Sequence, residues 1–318
     1  MNERQIIEEI RKAFGAAPAT DEGMFDDVVR VDPGKGKLIL KADMFVADTD
    51  MPPGMTLRQA ARKSLISCLS DFAAKGATPE GFMVSLALPR RLSGRRTVQD
   101  IVSGLRDASR EYSVRLVAGD VNESKSLSID CIMYGFSGAK VTRGGARPGD
   151  SVIATGPFGY SALGLRHLLA GLRLPREVVA RCVSSVTAPR PDFRTIRDIA
   201  SSGMAHSSMD SSDGLARTLH EISRQSGVRI EMTTLPTDDA LKELLRGGVL
   251  ADAVLYGGEE FIGVATIPPD RMTDATRMAK KAGGRIYEFG AVREGSGVVY
   301  KTPDGGVEVR DAGWSHLR

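Results

Sequence analysis

The stretch His206-Ser207-Ser208-Met209-Asp210-Ser211-Ser212-Asp213-Gly214 runs directly into the helical pattern Leu215-Ala216-Arg217-Thr218-Leu219-His220-Glu221-Ile222. It sets two carboxylates and several hydroxyls at the mouth of a helix. Asp213 has the chemistry of an N-cap, whose side-chain oxygen accepts one of the first free backbone N–H groups. One cap needs only one such residue, however, and Asp210, Ser211 and Ser212 stand immediately before it. Hard carboxylates with small hydroxyls are oxygen donors suited to magnesium. Acidic residues of the same kind recur along the chain where apolar segments end. Together they read as groups converging on bound metal and phosphate.

Downstream of this stretch the pattern gives a strand at 228–233 and a helix near 237–246. Tyr256-Gly257-Gly258-Glu259-Glu260-Phe261 then leads into a strand at 261–267. A helix at about 270–282 and strands near 285–292 and 297–301 complete this half. Upstream lie helices near 160–171, 176–184 and 192–202, preceded by the strand Ser151-Val152-Ile153-Ala154. The turn Gly156-Pro157-Phe158-Gly159 lacks GxGxxG spacing, and Pro157 removes a phosphate-binding N–H, so a dinucleotide site is not expected. The Gly- and Pro-rich segment 140–150 is the domain boundary, giving domains 1–140 and 150–318.

In the first half, residues 3–14 read as a helix with Ile6, Ile7, Ile10 and Phe14 on one face. A strand over 38–46 carries Asp43. A helix over 57–75 has the apolar stripe Leu57, Ala61, Leu65, Cys68 and Phe72. Asp71 lies near its C-terminal end, where the macrodipole disfavours negative charge, so a compensating cation is expected: Lys75 one turn on, or a metal. A strand at 82–88, a helix at 97–112, a short strand delivering Gly119-Asp120 and a strand at 127–137 follow. This βαβαββ order predicts an α+β sheet layered with two helices.

Composition excludes several classes. At 318 residues and 42% hydrophobic, the chain can bury two cores, yet no apolar run is long enough to span a membrane. The N-terminus has no apolar core of a signal peptide. The three cysteines, Cys68, Cys131 and Cys182, sit apart among apolar neighbours, as reduced thiols of a cytoplasmic protein do. The basic run Arg90-Arg91-Leu92-Ser93-Gly94-Arg95-Arg96 has no interleaved aromatics, and a net charge of +3 gives no reason to expect nucleic acid as a partner. None of the four histidines has metal-ligand spacing, and no Walker, HRD or DFG pattern or serine triad occurs.

Seven motifs nevertheless stand in a telling order: Phe25-Asp26-Asp27; Ala42-Asp43; the run from Leu69 to Pro79; Gly119-Asp120; Arg143 to Asp150; Asp210-Ser211-Ser212-Asp213-Gly214; and Gly257-Gly258-Glu259-Glu260. Their order over nearly the whole chain resembles the thiamine-monophosphate kinase family, within the aminoimidazole ribonucleotide synthetase (PurM-like) superfamily. The resemblance implies an N-terminal α+β domain with a ferredoxin-like βαβαββ sheet that pairs across a homodimer, and a C-terminal α/β domain. ATP and several Mg²⁺ ions are expected in the cleft between them. The metal ligands implied are Asp27, Asp43, Asp71, Asp120, Asp210 and Asp213, with Asp71 and Asp210 central to catalysis. Gly119, Asp120, Arg143 and Ser212 are the implied ATP contacts; Asp50, Glu259 and Trp314 face the thiamine side. Trp314, the only tryptophan, has a ring suited to stacking on a cationic heterocycle. Lys41 and Ala42 stand where the family commonly carries Ser or Thr, and Asp50 where it often carries histidine.

The implied reaction is ATP + thiamine phosphate → ADP + thiamine diphosphate. Its nucleophile is a phosphate oxygen with a second pKa of about 6, already ionised near neutrality, so no general base is required. The obstacle is repulsion: two unit charges 4 Å apart repel by about 4 kcal/mol at an effective dielectric of about 20. Magnesium is expected to neutralise and align the phosphates for direct in-line transfer. The rival readings are another ATP-dependent enzyme of the superfamily, resembling aminoimidazole ribonucleotide synthetase, and a non-catalytic nucleotide-binding relative.

Overall fold

Period-two alternation begins the ordered chain: along β1 (Lys37–Val46), Leu38, Leu40 and Met44 face out while Phe45 enters the core. In the computed structural model, residues 37–245, 247–303 and 305–314 are described, together with positions 5, 9, 12 and 13, which are helical. Asp26, Asp27 and His316, singled out from sequence, lie outside the described residues. The chain divides into two units, one comprising 1–69 and 78–137, the other 70–77 and 138–318.

In the first unit a one-turn helix α1 (Ala47–Asp50) follows β1, then α2 (Leu57–Ala74), β2 (Thr78–Leu88), α3 (Arg95–Glu111), β3 (Arg115–Glu123) and β4 (Ser128–Ser137). The sheet order is β1-β4-β2-β3, with β2 and β3 parallel and the other pairs antiparallel. The α2 stripe Ala61, Leu65, Cys68 and Phe72 is buried, and the Cys68 thiol donates to the Cys131 carbonyl of β4 at 3.0 Å. Burial pushes the Cys131 thiol up to about 12, leaving it an inert apolar group. Val98, Ile101 and Leu105 of α3 complete the layer. Where α3 crosses α2, any side chain at Gly104 would collide with the Arg58 carbonyl and the Ala61 methyl. The opposite face of β1 stays bare: Leu38, Leu40 and Met44 are 51%, 67% and 58% exposed on an edge strand. The short strand expected at 115–118 runs on to Glu123, because Val121 remains buried and the parallel ladder with β2 continues through Glu123. Gly119 and Asp120 therefore lie within β3 and not beyond its end.

The second unit holds a seven-stranded sheet in the order β11-β10-β7-β9-β5-β8-β6. Its strands are β5 (Ser151–Ala154), β6 (Ser207–Ser211), β7 (Arg229–Met232), β8 (Ile262–Ile267), β9 (Tyr287–Arg293), β10 (Gly297–Thr302) and β11 (Gly305–Glu308). Only the β7–β10 pair is parallel. Helices α4 (Tyr160–Ala170), α5 (Arg176–Thr187), α6 (Phe193–Ser201), α7 (Leu215–Ser226), α8 (Asp239–Leu244), α9 (Gly247–Tyr256) and α10 (Met272–Ala282) connect them. Val152, Ala154 and Val264 join one core with residues of α4, α7 and α9. On the other face of β8, Ile196 of α6 presses onto Gly263. Helix α9 was not anticipated, since its Gly-Gly start hides an otherwise helical run. His167, His206 and His220 bond to the Leu172 carbonyl, Asp150 and the Val309 carbonyl, as expected of structural histidines.

Gly104→Ala should destabilise the protein by about 1–3 kcal/mol, the usual cost of forcing a methyl into a filled core. Chemical denaturation measures this, and an unchanged midpoint would mean the α2–α3 crossing is looser than described.

Candidate functional site

Asp210 occupies the fourth position of β6, paired with Gly263 of β8, and is only 7% exposed. The sequence reading places this stretch at the mouth of a helix; the structure makes Ser207–Ser211 a strand, because its backbone completes the sheet edge against β8. Burying a carboxylate demands a donor. Ser70 supplies one: its hydroxyl donates to Asp210 Oδ2 at 2.8 Å. Ser70 was not singled out from sequence, and its only signal was a hydroxyl adjoining Asp71.

Asp71 follows on the last turn of α2, and Lys75 lies one turn on. The Lys75 ammonium donates to the Ser208 carbonyl of β6. Burial and the nearby Arg143 lower its pKa to about 8, against the opposing fields of Asp210 and Asp71. Thus Asp71, Asp210, Arg143 and Lys75 share one electrostatic neighbourhood. Arg143 also lies 3.9 Å from Glu221, whose carboxyl is held below its ordinary value first by Arg224. The hydroxyls of Ser208 and Ser211 are buried without a hydrogen-bond partner among the described residues.

Asp213 is not the helix cap. The N-cap of α7 is Gly214, at φ 114°, and no side chain caps that helix. A Cβ at Gly214 would crowd the Gly257 carbonyl at 3.1 Å, so glycine is demanded on two counts. Asp213 instead offers its carbonyl to the Trp314 amide at 2.9 Å. Next to it, Ser212 accepts from the Glu259 amide at 2.5 Å, and Ser211 from the Phe261 amide at 3.0 Å. The β6–α7 turn, the Glu259 turn and the chain around Trp314 are therefore laced by backbone bonds. The Trp314 residue stays 51% exposed.

Glu259 and Phe261 both adopt positive φ, 65° and 52°, which non-glycine residues rarely do. Between them, Glu260 turns its carboxylate to the amino end of α4 and accepts from the Gly159 amide at 2.7 Å. Burial pushes this carboxyl up to about 7, although bonds from Gly159 and Ser161 favour its ionised form.

The remaining expected site residues belong to the first unit. Asp43, on the helix-facing side of β1, pairs with Lys41 at 3.2 Å. Asp120 and Gly119 are exposed on β3. Asp50 ends α1, where its carboxylate accepts from the Val46 amide at 2.7 Å. Among the described residues, no three His, Cys, Asp or Glu side chains are grouped so as to hold a metal. The chemistry of the donors nonetheless fits magnesium: carboxylates beside unpartnered buried hydroxyls, with no thiol or imidazole among them.

Residues 25–137 match the family model for the N-terminal domain of AIR synthase related proteins, and 147–301 the model for their C-terminal domain. The chain is 34% identical to the thiamine-monophosphate kinase of Nitrosopumilus maritimus over 318 residues, covering 100% of this chain and 99% of that one. It is 31% identical to that of Pyrococcus horikoshii, covering 100% and 97%. Among solved structures, AaThiL complexed with AMPPCP and TMP superposes with a TM-score of 0.78 at 27% identity, covering 100% of this chain and 99% of that one. The hydrogenase maturation protein HypE of E. coli shares the fold at 21% identity and a TM-score of 0.78, covering 99% and 98%.

Ser70→Ala should cost about 1.5–3 kcal/mol, because it strips a buried carboxylate of a donor. Asp213→Asn should move stability by less than about 0.5 kcal/mol, since its side chain caps nothing. Urea unfolding of both variants checks the pair; a large loss for Asp213→Asn would restore the capping role.

Proposed function

The chain belongs to the thiamine-monophosphate kinase family, and we propose that it moves the γ-phosphoryl group of ATP directly, in line, onto the phosphate of thiamine monophosphate. The observation that carries this reading is the end-to-end likeness to kinases of this one activity. The acceptor phosphate is its own nucleophile, so the protein need supply no base. Its task is to hold two polyanions close and in line.

In this reading Asp71, Asp210 and Asp213 on the second unit, and Asp27, Asp43 and Asp120 on the first, bind magnesium. Bound there, Mg²⁺ supplies charge neutralisation and alignment of the phosphates. Ser70 holds the Asp210 carboxylate in one orientation. Arg143 and Ser212, with Gly119, contact ATP. Lys75 lends positive charge beside Asp71 and Asp210 and ties the end of α2 to β6. Glu259 and the exposed Trp314 ring receive the thiamine moiety, with Asp50 as a further contact. The protein works as a homodimer in which the apolar outer face of β1 is covered by the same face of a second copy. Leu38, Leu40 and Met44 on an unpaired edge strand support that assembly.

ADP release should require thiamine monophosphate and Mg²⁺ together. Asp71→Asn and Asp210→Asn should each lower it by at least about 100-fold with near-ultraviolet dichroism unchanged. ADP release driven by another phosphorylated or amide acceptor instead would overturn the reading. Trp314→Ala should raise KM for thiamine monophosphate more than KM for ATP; an equal rise for both would remove the stacking role. Leu40→Glu should shift the protein to monomer in sedimentation, and an unchanged mass would remove β1 from the interface.

A further inference from the structure

Two left-handed residues flanking a buried acid make an unusual tripeptide. Glu259 and Phe261, at φ 65° and 52°, each hold a strained conformation that persists only when its surroundings fix it. The amides of both residues are bonded to β6 and its turn, through the carbonyls of Ser212 and Ser211. Those bonds tie the two ends of the turn. Its middle is held by the Glu260 side chain, which accepts from Gly159 N–H at 2.7 Å, with Ser161 as a second donor. Gly159 and Ser161 open α4, an eleven-residue helix, so the carboxylate sits where the helix presents free N–H groups and positive potential. Ser161 also donates its hydroxyl to the Gly258 carbonyl, on the other side of Glu259. Gly258 in turn lies against the Ser212 carbonyl and 3.7 Å, measured from an ideal Cβ, from Trp314 Cβ.

We propose that Glu260 is a positioning residue: its carboxylate, anchored on the amino end of α4, locks the strained turn that presents Glu259 to the thiamine substrate. This rests on the proposed kinase reading for the identity of that substrate. The anion is what the anchor needs. The carboxylate accepts from both Gly159 and Ser161, whereas a glutamine has a single acceptor oxygen and an NH₂ group that cannot accept from either donor. The titratable groups facing Glu260 are Arg181 and Cys182 of α5, besides the donors of α4. Arg181 favours the anion but is itself engaged by Asp238 at 2.7 Å. The Cys182 thiol is pushed up to about 11 by burial and stays neutral at physiological pH.

A carboxyl raised to about 7 from an unfolded value near 4.5 contributes stability that is complete below the unfolded pKa and lost as pH rises through the folded pKa. Keeping Glu260 ionised therefore works against folding at neutral pH and above, so a purely structural role is better served by a neutral side chain. The test is Glu260→Gln. Its Tm should rise relative to the parent by a margin that widens from about pH 5 to about pH 8. Over the same range its KM for thiamine monophosphate should be about five-fold or more higher near pH 8, with kcat changed less than two-fold. The ratio of the two proteins' KM values should fall toward one near pH 5, which cancels the titration of the substrate's own phosphate. Amide exchange at Glu259 and Phe261 near pH 8 should be at least about ten-fold faster in the variant, with the slowly exchanging amides of β8 unchanged. Parental KM and exchange in Glu260→Gln would overturn the proposal. If the parent protein does not phosphorylate thiamine monophosphate, the kinase reading fails, and the exchange comparison alone still decides whether Glu260 locks the turn.

Discussion

A buried carboxylate cannot be left to itself, and Asp210 is the one around which the second unit is arranged. It sits on the edge strand β6 yet is buried, with little water to solvate it, so its charge depends on what the protein brings to it. The hydroxyl of Ser70 meets it at 2.8 Å, and the ammonium of Lys75 bonds to the Ser208 carbonyl of the same strand. Ser70 lies near the C-terminal end of α2 and Lys75 just past it. Ordering a helix end beside an edge strand is thus an electrostatic requirement of Asp210 before it is a matter of packing. The same requirement explains why Asp71 tolerates the wrong end of a helix dipole: a cation is one turn away.

Much of the fold was legible because it rests on periodicity. The βαβαββ order of the first unit follows from apolar stripes such as Leu65, Cys68 and Phe72, which survive intact in its core. The short Gly-Gly-led helix α9 was not legible, for glycine is a stop signal in sequence and here begins a helix. The strand character of Ser207–Ser211 is not legible for a related reason. A polar run rich in serine lacks the β-branched residues of a strand, and only the ladder with β8 makes it one.

The candidate site was legible as chemistry more than as geometry. The spacing of the aspartates marked them as a set, but nothing in the sequence distinguished Asp213 as a cap from Asp213 as a side chain at liberty for ligands. That distinction lies in the dihedral angles of Gly214, which takes the cap position itself. The contacts of Ser70 and Glu260 were not legible, although both residues stand inside the motifs, because each acts on a residue remote in sequence: Asp210 in one case, Gly159 in the other. Local patterns carry no information on such pairs. The strain at Glu259 and Phe261 is likewise invisible beforehand, since local preference and final conformation disagree there, as they tend to at working sites.

The allocation of residues 70–77 to the second unit has a consequence for how such proteins can evolve. The two halves look like modules joined at a glycine-rich linker, yet eight residues encoded in the first half complete the second. A crossover between related genes at the linker would bring Ser70 from one parent and Asp210 from the other. Exchange of whole halves therefore keeps this buried contact only where one parent brings a hydroxyl at position 70 and the other a carboxylate at position 210.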